Sequence, residues 1–256
     1  MDLRIAGKRA LVMGASRGLG RAVAEGLLAE GVQVIAVARN ADSIRAWAGE
    51  TSGLTAMSAD LTDLASIDAL AAAVLAGSGV DILINNSGGP APGAAATAMR
   101  GDWIGQFEAM AANLFHLTGR LLPGMRDRKW GRIVTIGSSG VEQPIPNLAL
   151  SNGIRAAVVG WSKTLAAEVA ADGVTVNIVM PGRIQTSRVA ELDAAAAART
   201  DSTVEAVQKA SAAAIPAGRY GRPEEFAAMV VFLVSGPASY VTGSRLRVDG
   251  GAIRSI

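Results

Sequence analysis

Short apolar segments alternate with longer alanine-rich segments along the chain. The apolar segments are rich in valine, isoleucine and leucine without alternating polar positions, which is typical of strands buried on both faces of a parallel sheet. The sequence predicts seven strands, at Arg9–Met13, Gln33–Ala38, Leu54–Ser58, Asp81–Asn85, Arg132–Gly137, Thr175–Val179 and Arg245–Val248. It predicts helices between them, at about Leu19–Glu30, Ala41–Ala48, Asp63–Ala76, Asp102–Met125, Ser151–Ala171, Thr186–Ala214 and Pro223–Ser235.

This alternation predicts a single-domain, Rossmann-type, doubly wound α/β fold, with a seven-stranded parallel sheet and helices on both faces. No linker interrupts the pattern, so we expect residues 1–256 to form one domain. The stretch richest in glycine, proline and alanine, Ser87–Ala98, follows the fourth strand directly. A loop in that position lies at the carboxyl end of the sheet, where open α/β folds bind their ligands.

Composition and charge narrow the class of protein. Of the 256 residues, 50% are hydrophobic and 18% are charged, which excludes intrinsic disorder. The net charge is +2 without a run of lysine or arginine, so nucleic acid is not an expected partner. The absence of cysteine excludes disulfides and thiolate ligands, and no metal site is predicted. The longest apolar stretch, Phe226–Val234, is too short to cross a membrane and Met1–Arg4 does not begin a secretory signal, so we expect a cytoplasmic protein.

A glycine-rich turn joins the first strand to the first helix. Its glycines permit a tight turn and close approach of the backbone to a pyrophosphate, and the helix that follows offers free N–H groups at its N-terminus. Because a strand precedes the turn and a helix follows it, a dinucleotide-binding loop is favoured over a turn without a ligand. The predicted contacts in this loop are Gly14, Ser16, Arg17, Gly18, Leu19 and Gly20.

The Gly-x-x-x-Gly-x-Gly spacing resembles that of the short-chain dehydrogenase/reductase family. Four further motifs extend the resemblance along the chain: Asp60-Leu61, Asn85-Asn86-Ser87-Gly88, Pro181 to Thr186, and Val248-Asp249-Gly250-Gly251. The chain is most similar to reductase-like members of the 3-oxoacyl-[acyl-carrier-protein] reductase kind, although Met13 stands where the family usually has threonine. The resemblance implies further cofactor contacts at Asp60, Leu61, Asn86, Gly88, Pro181, Gly182, Ile184 and Thr186, and a substrate-binding lid at roughly residues 183–214.

The residue at the end of the second strand indicates whether the site prefers NAD(H) or NADP(H). An acidic residue there would bind the ribose 2′-hydroxyl and reject a 2′-phosphate, whereas this chain has Arg39. Arg39 and Arg17 together offer two guanidinium groups to one phosphate. We therefore predict NADP(H) in preference to NAD(H), against the alternative that both arginines are simply solvated.

The resemblance implies a catalytic set of asparagine, serine, tyrosine and lysine, and this chain departs from it at three positions. Ser138 matches the catalytic serine. The Tyr-x-x-x-Lys segment of the family falls on residues 151–155, which places Ser151 at the tyrosine and Arg155 at the lysine. Met110 falls at the asparagine. The predicted catalytic residues are Ser138, Ser151 and Arg155, and Arg155 is also expected to contact the cofactor.

These replacements weaken general acid catalysis. A serine hydroxyl is a much weaker acid than a tyrosine, and an arginine stays protonated and passes no proton. Arginine still hydrogen-bonds ribose hydroxyls and places a positive charge near a developing alkoxide. Loss of a general acid costs roughly 10²–10⁴ in rate. Hydride transfer by positioning alone remains feasible, but slow on an unactivated ketone.

Several other groups are weaker candidates for the missing roles. Glu142 is the best alternative proton donor, because a desolvated carboxyl can be tuned to donate near neutrality. Asn113 lies on the same helix face as the missing asparagine and could partly replace it. His116, the sole histidine, is more simply a surface or interface residue. Tyr220 and Tyr240 are the only tyrosines and lie far in sequence from the site motifs.

Three functions are weighed on these residues. The leading one is an NADP(H)-dependent oxidoreductase with an altered proton path, transferring hydride between nicotinamide and a carbonyl/alcohol, imine or activated alkene. The second is a non-catalytic NADP(H)-binding protein, a sensor or an assembly partner. A non-redox enzyme similar to the halohydrin dehalogenases is disfavoured, because those proteins keep the tyrosine and lose the glycine loop.

The expected partners are a small-molecule substrate and further copies of the chain. The segments expected to form the pocket are Ser87–Ala98, Ser138–Asn147 and Arg183–Ala214. They are rich in apolar residues, which favours a small apolar or acyl substrate. The resemblance also implies a homodimer or homotetramer formed through the two long helices and the last strand.

Overall fold

The protein is described by a computed structural model that covers residues 1–255. Seven parallel strands form one sheet in the order β3-β2-β1-β4-β5-β6-β7. The strands are β1 (Arg9–Met13), β2 (Gln33–Ala38), β3 (Leu54–Ser58), β4 (Ile82–Asn85), β5 (Gly131–Ile136), β6 (Val174–Pro181) and β7 (Arg245–Val248). The predicted fold class is confirmed.

Helices connect successive strands and cover the sheet. They are α1 (Gly18–Ala29), α2 (Asp42–Ala48), α3 (Leu64–Ala76), α4 (Arg100–Phe107), α5 (Asn113–Asp127), α6 (Ala149–Val169), α7 (Ser187–Arg199), α8 (Val204–Ala213) and α9 (Pro223–Leu233). None of the helices within residues 1–255 combines the length and the apolar character that a membrane crossing requires.

Apolar helix surfaces pack on both faces of the sheet. On one face lie α1, α2 and α9, with Phe226 fully buried. On the other lie α3, α5 and α6, which bury Ile67 and Leu117. Successive strand residues point to opposite faces, so Val12 joins the first layer and Leu11 the second. Because β4 and β5 are buried along their whole length, their sequence shows no polar alternation.

The long helix predicted at Asp102–Met125 is interrupted. A π turn at Glu108–Ala112 separates α4 from α5, and the N–H of Asn113 donates to the carbonyl of Glu108, five residues earlier. The turn is wider than an α-helical turn, so side chains on its two sides lose the register that a regular helix would give them.

The helix predicted at Thr186–Ala214 is also two helices, α7 and α8. Asp201 has a φ of +48°, a left-handed conformation that ends the first helix. The hydroxyl of Thr203 then accepts a hydrogen bond from the N–H of Ala206 and caps α8.

The strand order reverses between β1 and β4, which are neighbours in the sheet but not in sequence. Open α/β folds bind ligands outside the carboxyl ends of the strands at such a reversal. Here the turn that follows Met13 lies against Asn86, which follows β4. The fold therefore places the glycine turn at the expected ligand crevice.

Candidate active site

The turn after β1 has the shape of an anion site. Gly14 and Gly18 have φ values of +63° and +59°, in the left-handed region that favours glycine. Helix α1 begins at Gly18, and its N-cap Arg17 makes no side-chain capping hydrogen bond. The first turn carries no acidic side chain. Its N–H groups are therefore available to an anion placed at the N-terminus of α1.

Asn86 fastens the glycine turn to the end of β4. Its Nδ2 donates to the carbonyl oxygens of Met13 at 3.2 Å and Gly14 at 3.3 Å. A Cβ atom on Gly14 would lie 2.6 Å from that Nδ2, and one on Gly20 would lie 2.8 Å from it. Both positions therefore require glycine, because Asn86 fills the space beside Gly14, and the carbonyl oxygen of Gly14 together with Asn86 fills the space beside Gly20.

The ends of β2 and β3 form the second part of the crevice. Arg39 is exposed there, and it makes no hydrogen bond or ion pair with any residue of the described chain. The pKa of Asp60 is lowered by hydrogen bonds from the backbone N–H and hydroxyl of Thr62, and less strongly by the charge of Arg39. The carbonyl of Leu61 accepts a hydrogen bond from Nδ2 of Asn113 at 2.8 Å. Arg39, Asp60 and Leu61 thus occupy one corner of the site.

Asn113 does not take the place of the missing asparagine. Residues three apart share a face in an α-helix, so Asn113 was predicted to lie beside Met110. The π turn separates them: Met110 packs with Ile154 and Val158 of α6, whereas Asn113 binds Leu61 on the other side. This alternative in the sequence prediction was wrong.

The side chain of Arg17, on the glycine turn, pairs with helix α7. Its Nη1 is 2.8 Å from Oγ of Ser187 and 2.9 Å from Oε1 of Glu191, both on α7. The hydrogen bond from Arg17 is the main reason why the pKa of Glu191 is lowered. The sequence prediction brought Arg17 and Arg39 to one phosphate, but Glu191 offers Arg17 a carboxylate within reach. Arg17 therefore joins the glycine turn to α7.

The segment after β6 leads back to the glycine turn. Ile184 pairs with Gly221 in an isolated parallel bridge. The hydroxyl of Thr186 accepts a long hydrogen bond, 3.4 Å, from the N–H of Val189 and caps α7. A Cβ on Gly18 would lie 3.6 Å from the Cβ of Thr186. The start of α7 and the glycine turn are therefore the two walls of the crevice.

The remaining predicted cofactor contacts follow strand ends at the same edge of the sheet. Ser16 belongs to the turn after β1, Leu19 to the first turn of α1, Gly88 follows β4, Pro181 ends β6 and Gly182 follows it. A Cβ on Gly182 would lie 2.7 Å from atoms of Asp249, so no larger residue fits there.

Ser138 and Ser151 lie on two segments that a third residue holds together. Oγ of Ser138, directly after β5, accepts a hydrogen bond from the N–H of Gly140 at 3.1 Å. Ser151 lies in the first turn of α6 and is partly buried. Its neighbour Asn152 accepts the N–H of Ile145 at 3.3 Å and donates to the carbonyl of Ile145 at 2.9 Å. Asn152, which the sequence analysis did not single out, thus closes the loop after β5 against α6.

Arg155 points from α6 toward the sheet. Its Nη1 donates to the carbonyl of Ile136 at 2.9 Å. Burial, with a smaller contribution from the charge of Arg188, lowers the pKa of the Arg155 guanidinium to about 10, so it stays charged at neutral pH. Met110, only 3% exposed, lines one small cavity together with Arg155 and Thr135. An apolar side chain therefore lies beside this cation.

Glu142 is not placed to act as an acid. Its carboxylate forms an ion pair with Arg247 and lies 3.9 Å from Arg245, both on β7. A carboxylate committed to two guanidinium groups is not free to donate a proton to a substrate. The proposal of Glu142 as the alternative donor is therefore not supported by its geometry.

The sole histidine and the two tyrosines are also engaged elsewhere. Nε2 of His116 lies 2.8 Å from Oδ1 of Asp68, across α5 and α3. Tyr240 is fully exposed, whereas Tyr220 is buried and donates to the carboxylate of Asp193 at 3.1 Å. None of these groups replaces the missing tyrosine at the position of Ser151.

Two arginines within residues 183–214, the segment predicted to be a lid, were missed by the sequence analysis. Arg183 forms an ion pair with the fully buried Asp193 and holds α7 on the segment after β6. Arg188 donates from Nη2 to the carbonyl of Pro90 at 2.7 Å, so it spans the cleft between α7 and the loop after β4. Neither pairing leaves a local signal, because the partners are joined only by the fold.

The site as a whole offers hydroxyl groups and fixed positive charge. The hydroxyls of Ser138 and Ser151 are of a type that can donate hydrogen bonds to a substrate oxygen, and Arg155, four residues after Ser151 on α6, supplies a cation. No group of ordinary acidity, such as a tyrosine, an unpaired carboxyl or a free histidine, accompanies them within residues 1–255. The arrangement can orient and polarise a substrate but lacks an efficient proton donor.

Comparison with known proteins gives a consistent set of relatives. The family model described as enoyl-(acyl carrier protein) reductase matches residues 14–252. The chain is 38% identical to the 3-oxoacyl-[acyl-carrier-protein] reductase FabG of Salmonella typhimurium over 251 residues, which covers 96% of this chain and 97% of the relative. The L-sorbose reductase of Gluconobacter frateurii, solved with NADPH and L-sorbose, matches with a TM-score of 0.93 and 32% identity over the whole of both chains. YwfH, described as an NADPH-dependent reductase involved in bacilysin biosynthesis, matches with a TM-score of 0.92 and 28% identity, covering 98% and 100% of the two chains.

The chain belongs to the short-chain dehydrogenase/reductase family. The family predicted from the glycine spacing is thus confirmed, and the matched region includes every motif on which the prediction depended. Because its relatives are named reductases, the predicted enzyme class, a short-chain dehydrogenase/reductase, is also confirmed. The replacement of three catalytic residues, at Met110, Ser151 and Arg155, stays a prediction.

Proposed function

We propose that this short-chain dehydrogenase/reductase is an NADPH-dependent reductase of substrates that are already activated toward hydride: a reactive carbonyl, an imine or a conjugated alkene. The observation that carries the proposal is the combination of an intact glycine turn with a site that holds Ser138, Ser151 and Arg155 but no acid. The glycine turn binds the cofactor that supplies the hydride. The lack of an acid limits which substrates are reduced at a useful rate.

The residues present fit NADPH. The first turn of α1 is free of acidic side chains, and Asn86 holds the glycine turn in the form a pyrophosphate needs. Arg39, exposed and unpaired among residues 1–255, is available to a 2′-phosphate. Two of the matched structures are described with NADPH, and the comparisons thereby confirm the predicted preference for NADP(H). When bound, NADPH supplies the hydride.

The side chains around the substrate have separate roles in this proposal. Ser138 and Ser151 donate hydrogen bonds to the substrate heteroatom, and Arg155 stabilises the negative charge that forms there. The proton that completes the reduction comes from water, because no protein acid is in place. A substrate whose negative charge is delocalised, such as an enone, therefore suits the site better than a simple ketone.

We further propose that the segment at residues 183–214 covers the site as a lid. Arg17, on the glycine turn, binds α7, and Arg188 of α7 reaches Pro90 on the opposite side of the cleft. The substrate is expected to have an apolar or acyl body. Assembly into a homodimer or homotetramer through α5, α6 and β7 stays a prediction of the family resemblance; the stacked rings of Phe115 and Trp161 lie on the two helices concerned.

Calorimetric titration with NADPH, and separately with NADH, tests the cofactor, and NADPH oxidation over a matched panel tests the reaction. The panel pairs simple ketones with enones, quinones and imines of the same size. We expect tight binding of NADPH, weak binding of NADH, and turnover confined to the activated members. Cofactor binding with no turnover on the whole panel would favour a non-catalytic NADP(H)-binding protein, and no binding would overturn both.

A further inference from the structure

A short 3₁₀ turn joins Ser138 to Glu142 in the loop after β5. The N–H of Val141 donates to the carbonyl of Ser138 at 3.2 Å. The N–H of Glu142 donates to the carbonyl of Ser139 at 3.1 Å. Inside the turn, the N–H of Gly140 donates to Oγ of Ser138 at 3.1 Å. The backbone that carries Glu142 therefore also sets the direction of the Ser138 hydroxyl.

The side chain of Glu142 ties this turn to the last strand of the sheet. Its carboxylate forms an ion pair with Nε of Arg247 and lies 3.9 Å from Nη1 of Arg245, both on β7. Because β6 lies between β5 and β7 in the sheet, the ion pair reaches across one strand. The Glu142 side chain is 11% exposed, so loss of either partner leaves a charge largely out of water. The turn therefore cannot leave β7 without a large cost in free energy.

The other fixed point of the loop lies on α6. Asn152 binds both the N–H and the carbonyl of Ile145. Between Ile145 and Ser138, no side chain other than that of Glu142 makes a hydrogen bond or an ion pair in the described part of the chain. The loop is thus fastened at two points, and the ion pair of Glu142 is the one nearer to Ser138.

The direction of the Ser138 hydroxyl matters for the proposed reaction. A hydrogen-bond donor stabilises developing negative charge when it is aimed at the atom where the charge forms. Misplacement by about 1 Å can cost about 100-fold in rate. Oγ of Ser138 already accepts the N–H of Gly140, so the turn restricts where the hydroxyl hydrogen can point.

We propose that Glu142 is a positioning residue: its ion pair with Arg247 fixes the 3₁₀ turn and thereby directs the hydroxyl of Ser138 toward the substrate heteroatom. The inference rests on the proposed function, in which Ser138 donates a hydrogen bond to that atom. Glu142 acts through Ser138 and donates no proton itself. A buried carboxylate of the site thus serves geometry and not acid catalysis.

Steady-state kinetics on an enone test the role of the ion pair. Glu142→Gln keeps the shape of the side chain and removes its charge. We expect kcat to fall about 10- to 100-fold, with KM and the affinity for NADPH unchanged, because the donor is needed mainly in the transition state. Arg247→Gln breaks the same ion pair, and the double variant should be no slower than the slower single variant. Arg245→Gln, on the same strand but 3.9 Å from the carboxylate, is the matched control and should change little.

A serine-deficient background separates positioning from general stability. Ser138→Ala is expected to lower kcat by about 10²–10³, the effect of removing one such donor. In that background Glu142→Gln should cause no further loss, because no hydroxyl is left to position. An equal loss in both backgrounds would assign Glu142 to stability alone and would overturn the proposal.

Hydrogen exchange tests the geometry independently of turnover. The amide of Gly140 is protected while it donates to Ser138, and its exchange rate is followed by NMR. We expect faster exchange in Glu142→Gln and Arg247→Gln but not in Arg245→Gln, in proteins whose circular dichroism matches the wild type. Unchanged exchange in the first two variants would overturn the proposal. Faster exchange in a protein that reduces no enone would support control of the turn by the ion pair, while contradicting the proposed reductase function.

Discussion

The glycine turn and the start of α6 differ in how strictly the surrounding atoms limit the residue types that each position can hold. Gly14 and Gly20 have no room for a Cβ, because Asn86 lies against both. Ser151 and Arg155 lie in α6 without a positive φ, so their backbone does not dictate the residue type. The dinucleotide site is therefore built into the backbone, whereas the supply of a proton depends on side chains that can be exchanged on an unchanged helix. We therefore expect that cofactor binding and proton transfer can be changed independently in this molecule.

The largest effect is expected from restoring the acid. The double variant Ser151→Tyr/Arg155→Lys should raise the rate of NADPH oxidation on simple ketones by roughly 10²–10⁴, the contribution of a positioned general acid. Steady-state kinetics on one ketone and one enone of equal size measure it. Arg155→Lys alone, which adds no phenol, is the control. A double variant that binds NADPH but shows no gain on the ketone would contradict the separation of the two regions.

A smaller effect is expected from closing the glycine turn. In Gly20→Ala the new methyl group meets the carbonyl of Gly14 and Nδ2 of Asn86, so the turn must shift. Overpacking of this kind costs about 1–3 kcal/mol, or about 5- to 150-fold in the affinity for NADPH. Calorimetry measures the affinity. Gly160→Ala, on α6 with nothing within 4 Å of the new Cβ, is the control and should bind NADPH like the wild type.

The choice between cofactors should depend on Arg39. Replacing it in Arg39→Gln is expected to weaken NADPH by about tenfold, or about 1.4 kcal/mol, and to leave NADH unchanged, because only NADPH carries a 2′-phosphate. The ratio of the two dissociation constants is the measurement. Arg45→Gln, an exposed arginine on α2 that pairs with Asp42, controls for a general change of charge. An equal loss for both cofactors would show that Arg39 does not read the 2′-phosphate.

The smallest effect concerns acid stability, far from the chemistry. Hydrogen bonds from Arg219, and from the backbone N–H of Arg222, lower the pKa of Glu225 to about 2. Because this folded-state pKa is below the ordinary value of 4.5, the contribution to stability is complete above about pH 4.5 and is lost as the pH falls toward 2. Denaturant unfolding at several pH values measures the free energy of unfolding. Glu225→Gln should be less stable than the wild type at pH 7, and its stability should fall less than that of the wild type as the pH drops from about 4.5 toward 2.

Glu50→Gln, an exposed carboxylate without an ion pair in the described chain, is the control for this last prediction. It should follow the wild-type pH profile. A Glu225→Gln profile parallel to the wild type would show that the ion pair contributes nothing that can be measured, as is common for exposed pairs.

The strands were predictable because burial on both faces leaves a continuous apolar run. Predicted and observed bounds coincide for β1, β2, β3 and β7, and they differ by one or two residues elsewhere. The division of the last long helix had a signal that was not used: Thr203 is a good N-cap residue, in the middle of the predicted segment. The π turn at Glu108–Ala112 had none, since its residues are ordinary helix formers.

The site was predictable only where its residues are fixed by a local turn. The glycine turn follows from spacing, whereas the partners of Arg17 and Glu142 depend on segments distant in sequence. Glu191 is 174 residues from Arg17, and no periodicity relates them. The chain contains many carboxylates that could pair with Arg17. Only the folded structure determines which of them lies close enough to form the ion pair.

The π turn between α4 and α5 holds one residue more than a regular helix would need. Deleting Ala112 would let the segment return to α-helical geometry, and α4 and α5 would keep their faces because the π turn had absorbed the extra residue. Met110 would then stand two residues before Asn113 instead of three, so its direction relative to α6 would change while Leu114 and Leu117 kept their places in the core. The side chain that lies beside Arg155, here Met110, can thus be changed by the chain length of the π turn alone. Sequence alignments that place gaps freely in this turn will therefore misassign which residue lines the site.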